Sequence, residues 1–79
     1  MEYDEEKVDE IVLALLYLTS FTQSGITRAW KGHDWDVLNR LHEKGLIGDP
    51  KSKSKSVVLS KEATQESAKL FWKHFGTQP

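Results

Sequence analysis

The sequence predicts one small, mainly α-helical domain with a single β-hairpin, in the order α-α-α-β-β-α. Apolar residues recur at helical spacing near the start, in the middle and at the end of the chain. A turn signal at Asp49 and Pro50 precedes a β-branched stretch at Val57 and Val58. Because 79 residues bury only one core, we expect residues 1–79 to form a single domain, with residues 1–7 and 76–79 frayed.

The first helix is predicted from about Asp4 to about Thr19. Asp4 is a suitable N-cap, and the acidic residues after it favour the positive end of a helix dipole. Leu13 and Tyr17 lie off the main apolar stripe, so this helix has a broad apolar surface. We expect that surface to be covered within the domain or by a second copy. The stripe consists of Val8, Ile11, Val12, Leu15 and Leu16.

Two further helices are predicted in the middle of the chain. Residues 21–25 are expected to connect the first helix to a short helix over residues 26–31. Asp34 is a suitable N-cap for a third helix, which ends at Gly45 in the left-handed position after a helix. The inward-facing residues of the short helix are expected to be Ile26, Ala29 and Trp30.

A β-hairpin and a last helix complete the predicted order. Leu46 and Ile47 begin the first strand, residues 51–56 form the loop, and residues 56–59 form the second strand. Ser60 is a natural N-cap for the last helix. The apolar face of that helix is expected to carry Ala68, Phe71, Trp72 and Phe75.

Two segments at the end of the third helix and after the loop resemble a winged helix-turn-helix domain. Residues 41–47 are LHEKGLI, and residues 57–62 are VVLSKE. In that fold, a glycine ends the third helix, a hairpin called the wing follows, and a serine or threonine before glutamate starts the closing helix. The resemblance covers about residues 8–75. It implies nucleic-acid binding, in a regulator-like role and often as a dimer.

A second resemblance spans nearly the whole chain. Residues 28–38 (RAWKGHDWDVL), 49–51 (DPK) and 56–59 (SVVL) are similar to a family of short bacterial proteins of unknown function. This resemblance implies a bacterial protein in the cytoplasm, and it carries no activity.

Charge is distributed unevenly along the chain, although the formal net charge is −1. Residues 1–10 hold six acids and one lysine, whereas residues 28–61 hold eight bases and four acids. A basic middle segment is a candidate footprint for nucleic acid, and the alternative is an ordinary solvated surface. The residues expected to contact double-stranded DNA are Arg28, Lys31, Asn39, Arg40, Lys44, Lys51, Lys53 and Lys55.

The wing and the third helix would contact DNA in different ways. In an extended loop, the alternating lysines and serines of residues 51–56 place all three lysines on one side, where they can follow a phosphate backbone. The alternative is a solvated loop whose lysines protect a hairpin edge. Asn39 and Arg40 are suited to base edges. Asp36 has the wrong charge for that surface, and an ion pair with Arg40 four residues away would occupy the arginine.

The chain contains three tryptophans, at positions 30, 35 and 72. We expect them to pack in the core, because each lies on or near an apolar stripe. The alternative is that they stack on single-stranded bases.

Several function classes find no support in the sequence. Cysteine is absent, and no glycine-rich phosphate loop or nucleophile motif occurs, so an enzyme is not expected. His33, Asp34, Asp36 and His42 lack a metal-ligand spacing, so neither a metal nor another cofactor is expected. The longest apolar run, residues 11–18, is too short to cross a membrane. We expect no small-molecule ligand.

A protein-contact role is the alternative function. The acidic first ten residues and the mixed charges of the third helix fit a protein-protein interaction module or a dimerisation domain that does not bind DNA. The same fold supports both uses, so the fold alone does not decide between them.

Overall fold

The computed structural model describes residues 2–77, which form three helices and a three-stranded antiparallel sheet. The order is α-β-β-α-β-α, so the predicted order α-α-α-β-β-α is wrong. The helix expected before the third helix, which would complete a helix-turn-helix pair, is a strand. The predicted fraying of residues 1, 78 and 79 lies outside the described residues. The elements are α1 (Glu5–Leu18), β1 (Ser20–Gln23), β2 (Ile26–Trp30), α2 (Trp35–Glu43), β3 (Ser56–Val58) and α3 (Lys61–Phe75).

The β1–β2 hairpin replaces both the predicted connection and the predicted short helix. Gln23 pairs with Ile26, so Ser24 and Gly25 form a two-residue turn. Both have positive φ, 54° for Ser24 and 78° for Gly25. That pair of conformations matches the turn that suits the twist of a hairpin. The sequence carried this signal, since Thr22, Ile26 and other β-formers flank a Ser-Gly pair.

The predicted wing hairpin is reduced to a single bridge. Ile47 and Leu59 form an isolated antiparallel bridge, and the Gly48 N–H donates to the Val58 carbonyl over 2.8 Å. The main partner of β3 is β2, with Ala29 opposite Val57. The strand β2 therefore lies at the centre of the sheet.

The core lies between one face of the sheet and the three helices. Leu13 is only 3% exposed, so the buried face of α1 is rotated from the predicted stripe, most of which is half-buried. Ala29 and Val57 bring the inner face of the sheet into the core. The buried apolar residues are Leu13, Ala14, Leu16, Ala29, Val37, Leu38, Leu41, Ile47, Val57, Leu59, Ala63 and Leu70.

The helix ends follow the predicted local chemistry. Asp4, Asp34 and Ser60 each accept a backbone N–H at the start of α1, α2 and α3, as predicted. Gly45 has a φ of 76°, which confirms its left-handed conformation beyond α2. The helix α1 begins inside the acidic segment that was expected to fray, so residues 5–7 are helical.

Candidate nucleic-acid interface

Two of the predicted DNA contacts, Arg40 and Lys44, are occupied within the fold. The Nη2 of Arg40 lies 2.7 Å from Oδ1 of Asp9, and its Nε donates to both Asp9 oxygens at 3.0 and 2.9 Å. The Nζ of Lys44 lies 3.2 Å from Oδ2 of Asp9. These contacts join α2 to α1. We call the group the ion-pair cluster, and its members are Glu5, Glu6, Asp9, Arg40 and Lys44.

Asp9 is the buried centre of the ion-pair cluster, since its side chain is only 2% exposed. Burial raises the pKa of its carboxyl group, but the hydrogen bonds and charges of Arg40 and Lys44 outweigh burial and hold this pKa below its ordinary value. The hydrogen bond to Asp9 raises the pKa of the Arg40 guanidinium. Both ions are therefore stabilised in the charged form.

This arrangement changes what α2 can offer to a nucleic acid. The Asp36–Arg40 ion pair expected within the helix is wrong, because Arg40 contacts Asp9 and the exposed Glu5 instead. Asn39 is half-buried, and it borders a groove of about 370 Å³ that Lys51 also lines. Glu43 and Asp49 line the same groove, which lowers its attraction for phosphate. The best base-reading residue of α2 is thus occupied.

Arg28 and Lys31 are also predicted contacts, and both bind the segment that follows Asp49. The Nζ of Lys31 donates to the carbonyls of Pro50 and Ser52 at 2.7 and 2.6 Å. The guanidinium of Arg28 donates to the Ser56 hydroxyl at 2.7 Å, to the Ser56 carbonyl at 3.1 Å and to the Ser54 hydroxyl at 3.2 Å. These bonds fix the position of residues 50–56 against the sheet.

The three lysines between these anchors are presented to solvent. We call residues 51–55 the lysine loop. Lys51, Lys53 and Lys55 are exposed, and none of them takes part in an ion pair within residues 2–77. The nearest acid in sequence is Asp49, whose Oδ1 accepts the backbone N–H of Lys51 at 2.9 Å. The three lysines predicted to follow a phosphate backbone are therefore exposed, although the hairpin that should carry them is almost absent.

The outer sheet face, which points away from the helices, carries exposed aromatic and apolar side chains. Register places Phe21 opposite Arg28, Arg28 opposite Val58, and Trp30 opposite Ser56. Because side chains alternate across a strand, these positions share one face with Gln23 and Ile26. The outer sheet face thus consists of Phe21, Gln23, Ile26, Arg28, Trp30, Ser56 and Val58.

The tryptophans do not pack in the core as expected. Trp30 is 54% exposed, Trp35 54% and Trp72 59%. Trp30 is held from one side, because its six-membered ring covers Gly32, where any Cβ would collide with it. The ring of His33 lies 6.4 Å from the Trp30 ring. The exposure of Trp30 was not expected because residues 26–31 were predicted to form a helix, whereas Trp30 lies on β2.

A shallow groove runs between the outer sheet face and the lysine loop. Its volume is about 240 Å³, and Arg28, Ser52, Ser56 and Asp49 supply its polar lining. Among residues 2–77, no three histidine, aspartate or glutamate side chains come close enough to hold a metal ion. In the same range, no helix is both long and apolar enough to cross a membrane.

Comparison with known proteins identifies the family but not its activity. Residues 4–77 match a family described as a domain of unknown function, DUF6429, and the chain belongs to this family. An uncharacterized protein of the bacterium Sinorhizobium fredii, y4hR, is 52% identical over 75 residues, which cover 95% of this chain and 97% of that protein. No solved structure matches the chain. These matches agree with the resemblance to short proteins of unknown function.

Proposed function

We propose that this protein binds nucleic acid, with the lysine loop on the phosphate backbone. The observation that carries the proposal is the contrast between fixed and available cations at this loop. Arg28 and Lys31 anchor residues 50–56, whereas Lys51, Lys53 and Lys55 have no ion-pair partner within residues 2–77. Anchoring lowers the entropy lost when the loop meets a ligand.

The proposed contact surface differs in one respect from the expected one, which combined the wing with the third predicted helix, now α2. Arg40 and Lys44 belong to the fold, because removing them from the ion-pair cluster would leave Asp9 buried without a counter-charge. Backbone contacts from lysines carry little sequence information. We therefore propose binding with weak sequence preference. The winged-helix resemblance implies a regulator-like role on double-stranded DNA in the cytoplasm, and titration of both duplex and single-stranded forms decides between that ligand and a single strand.

Fluorescence anisotropy with labelled DNA of random sequence tests the proposal. Duplex and single-stranded forms are titrated at about 50 and about 200 mM salt. We expect salt-sensitive binding by the wild-type protein. The triple variant with Lys51, Lys53 and Lys55 replaced by alanine should bind weakly. If each lysine contacts one phosphate, its salt slope should be smaller by about 2.7 on the duplex and by about 2.1 on the single strand.

The matched control removes three other exposed lysines, Lys7, Lys69 and Lys73, and makes the same change in net charge. Retained binding in this control, with loss in the loop variant, supports contact through the lysine loop. Equal loss in both variants would contradict a defined contact. Absence of binding to either form of DNA at low salt would overturn the proposal.

Protein contact is a second candidate function, favoured by an aromatic ridge where α1 and α3 meet. Trp72 is 59% exposed and Phe75 45%. The Phe71 ring lies 5.2 to 5.4 Å from three neighbouring rings, so the ridge is continuous. Exposed apolar patches mark interaction sites, and a second copy could present the same ridge. Sedimentation of the wild type and of Trp72→Ala tests the second copy: a dimer lost in the variant supports the ridge as a dimer interface, and a wild-type monomer contradicts self-association through it.

A further inference from the structure

We propose that the outer sheet face is a stacking platform, so that the nucleic acid bound beside the lysine loop is single-stranded. This inference rests on the proposed function and specifies its ligand. The platform carries two exposed aromatic side chains, Phe21 and Trp30. The cationic residue Arg28 lies opposite Phe21, two residues before Trp30 on β2. Proteins that bind single strands combine such aromatic surfaces with a basic groove.

The spacing of the aromatic residues favours unstacked bases. Phe21 lies opposite Arg28, and Trp30 is two residues further along β2, so Phe21 and Trp30 are diagonal neighbours. Diagonal neighbours in an antiparallel sheet are about 7–8 Å apart. Bases in a duplex are about 3.4 Å apart along each strand, and their faces are covered by one another. Two rings at this separation can take two bases only from a strand whose bases have separated.

Charge on the platform is complementary to a phosphate backbone. The seven positions of the outer sheet face include one arginine and no carboxylate. Lys55, the last residue of the lysine loop, immediately precedes Ser56, which lies opposite Trp30. The loop therefore adjoins the Trp30 end of the face. The groove beside this face is lined by one carboxylate, Asp49, whose Oδ1 accepts the Lys51 N–H, and the positive charge of Arg28 in the same lining opposes its negative charge. A strand stacked on Trp30 thus places its backbone beside the lysines.

The position of Trp30 is maintained by a residue without a side chain. The ring lies on Gly32, yet Trp30 remains 54% exposed. A methyl group at position 32 would collide with the ring and displace it, while leaving its chemistry intact. Gly32→Ala is therefore a probe of ring position that is independent of ring removal.

The test compares single strands with matched duplexes at low salt. The probes are labelled homopolymers of thymidine and of uridine, each of about 16 nucleotides, alone and annealed to their complements. We expect the single strands to bind more tightly than their duplexes, with DNA and RNA similar, because stacking does not involve the 2′-hydroxyl. With either sugar, tighter binding of the single strand than of its duplex supports the platform.

Substitutions of Trp30 test whether its ring contributes to single-strand binding. Trp30→Leu should weaken single-strand binding about ten-fold and leave duplex binding unchanged, and Trp30→Phe should retain most of the affinity. Gly32→Ala should weaken single-strand binding as well. The control is Trp35→Leu, which removes an equally exposed tryptophan from α2 and should change nothing.

The outcomes separate the inference from the proposed function. If duplexes bind as tightly as single strands, or if Trp30→Leu binds normally while the loop variant does not, the platform is wrong and nucleic-acid binding stands. If no probe binds the folded wild-type protein, both fail. If Trp30→Leu does not fold, as judged by circular dichroism, Gly32→Ala and Trp30→Phe decide by the same comparison.

Discussion

The ion-pair cluster and the lysine loop use the same kind of charge for opposite purposes. In the cluster, Arg40 and Lys44 surround a carboxylate that is 2% exposed, and their charges hold α2 against α1. In the loop, three lysines face solvent without an ion pair among residues 2–77. A basic segment is thus not a binding surface by composition alone, because a cation whose charge is already paired with a carboxylate inside the fold is not available to a ligand.

The comparison also changes the interpretation of the acidic start of the chain. Glu5, Glu6 and Asp9 are the counter-charges of α2, although their positions suggested an acidic surface that favours a helix dipole. The acidic first ten residues and the basic middle segment of the chain thus contact each other in the ion-pair cluster. The positive potential of the molecule is therefore shifted from α2 towards the loop.

Breaking the ion-pair cluster at its buried centre should have the largest effect on stability. Asp9→Asn removes the central carboxylate, and we expect it to lower the free energy of unfolding by about 2 to 3 kcal/mol. Urea denaturation measures this. Glu5→Gln is the matched control, because Glu5 is 62% exposed and should contribute about 0.5 kcal/mol or less. Equal effects of the two substitutions would contradict a buried centre.

Acid should remove the same contribution in the wild-type protein. The pKa of Asp9 is held below its ordinary value of 3.8, so above that pH its carboxylate stabilises the fold fully. As the pH falls below about 4, the unfolded chain takes up the proton first, and the contribution is lost as the pH passes the folded pKa. Denaturation of the wild type and Asp9→Asn should therefore differ most at neutral pH and converge in acid. A difference that is independent of pH would contradict the ion pair.

Loss of the anchoring lysine, Lys31, should lower the free energy of unfolding by less than loss of Asp9 does, but by more than loss of an exposed lysine does. Lys31 donates to two carbonyls of residues 50–52, so Lys31→Met should lower the free energy of unfolding by about 1 kcal/mol. Lys53→Met removes an equally charged but exposed side chain and should change stability by less than about 0.5 kcal/mol. Thermal denaturation compares the two. If both variants are equally stable, the loop does not depend on its anchor.

The smallest expected effect is that of the lysine loop on folding. Replacing Lys51, Lys53 and Lys55 together by alanine should leave the free energy of unfolding within about 0.5 kcal/mol of the wild type, since these residues are exposed and form no ion pair within residues 2–77. The same variant is the one expected to lose salt-sensitive binding. Chemical denaturation beside the binding titration checks this, and a large loss of stability would show that the loop belongs to the fold.

Local features of the fold could be predicted from the sequence, whereas distant pairings could not. The caps at Asp4, Asp34 and Ser60 depend on neighbours within three residues, so a single sequence contains them. The Arg40–Asp9 ion pair joins residues 31 positions apart, and nearby Asp36 offered a competing partner. Spacing along one helix favoured the wrong pair because it does not describe packing between helices.

The β1–β2 hairpin was not predicted, although the sequence contains a local turn signal for it. The expected order of helices outweighed that signal. Ser24 and Gly25 separate two runs of β-forming residues, which is a turn signal in its own right. The helical interpretation of residues 26–31 placed Ile26, Ala29 and Trp30 together, but in β2 only Ala29 is buried. The outer sheet face exists only because residues 26–30 form a strand, since alternation along β2 brings Arg28 and Trp30 to one side.

The most direct test of the account is a nuclear magnetic resonance titration of isotope-labelled protein with a single-stranded oligonucleotide. The account predicts backbone amide shifts in the lysine loop and at Phe21, Arg28 and Trp30, and small shifts along α2. Shifts confined to the exposed side of α2, from Asp36 to Glu43, would contradict it and return the binding surface to the helix that the ion-pair cluster holds.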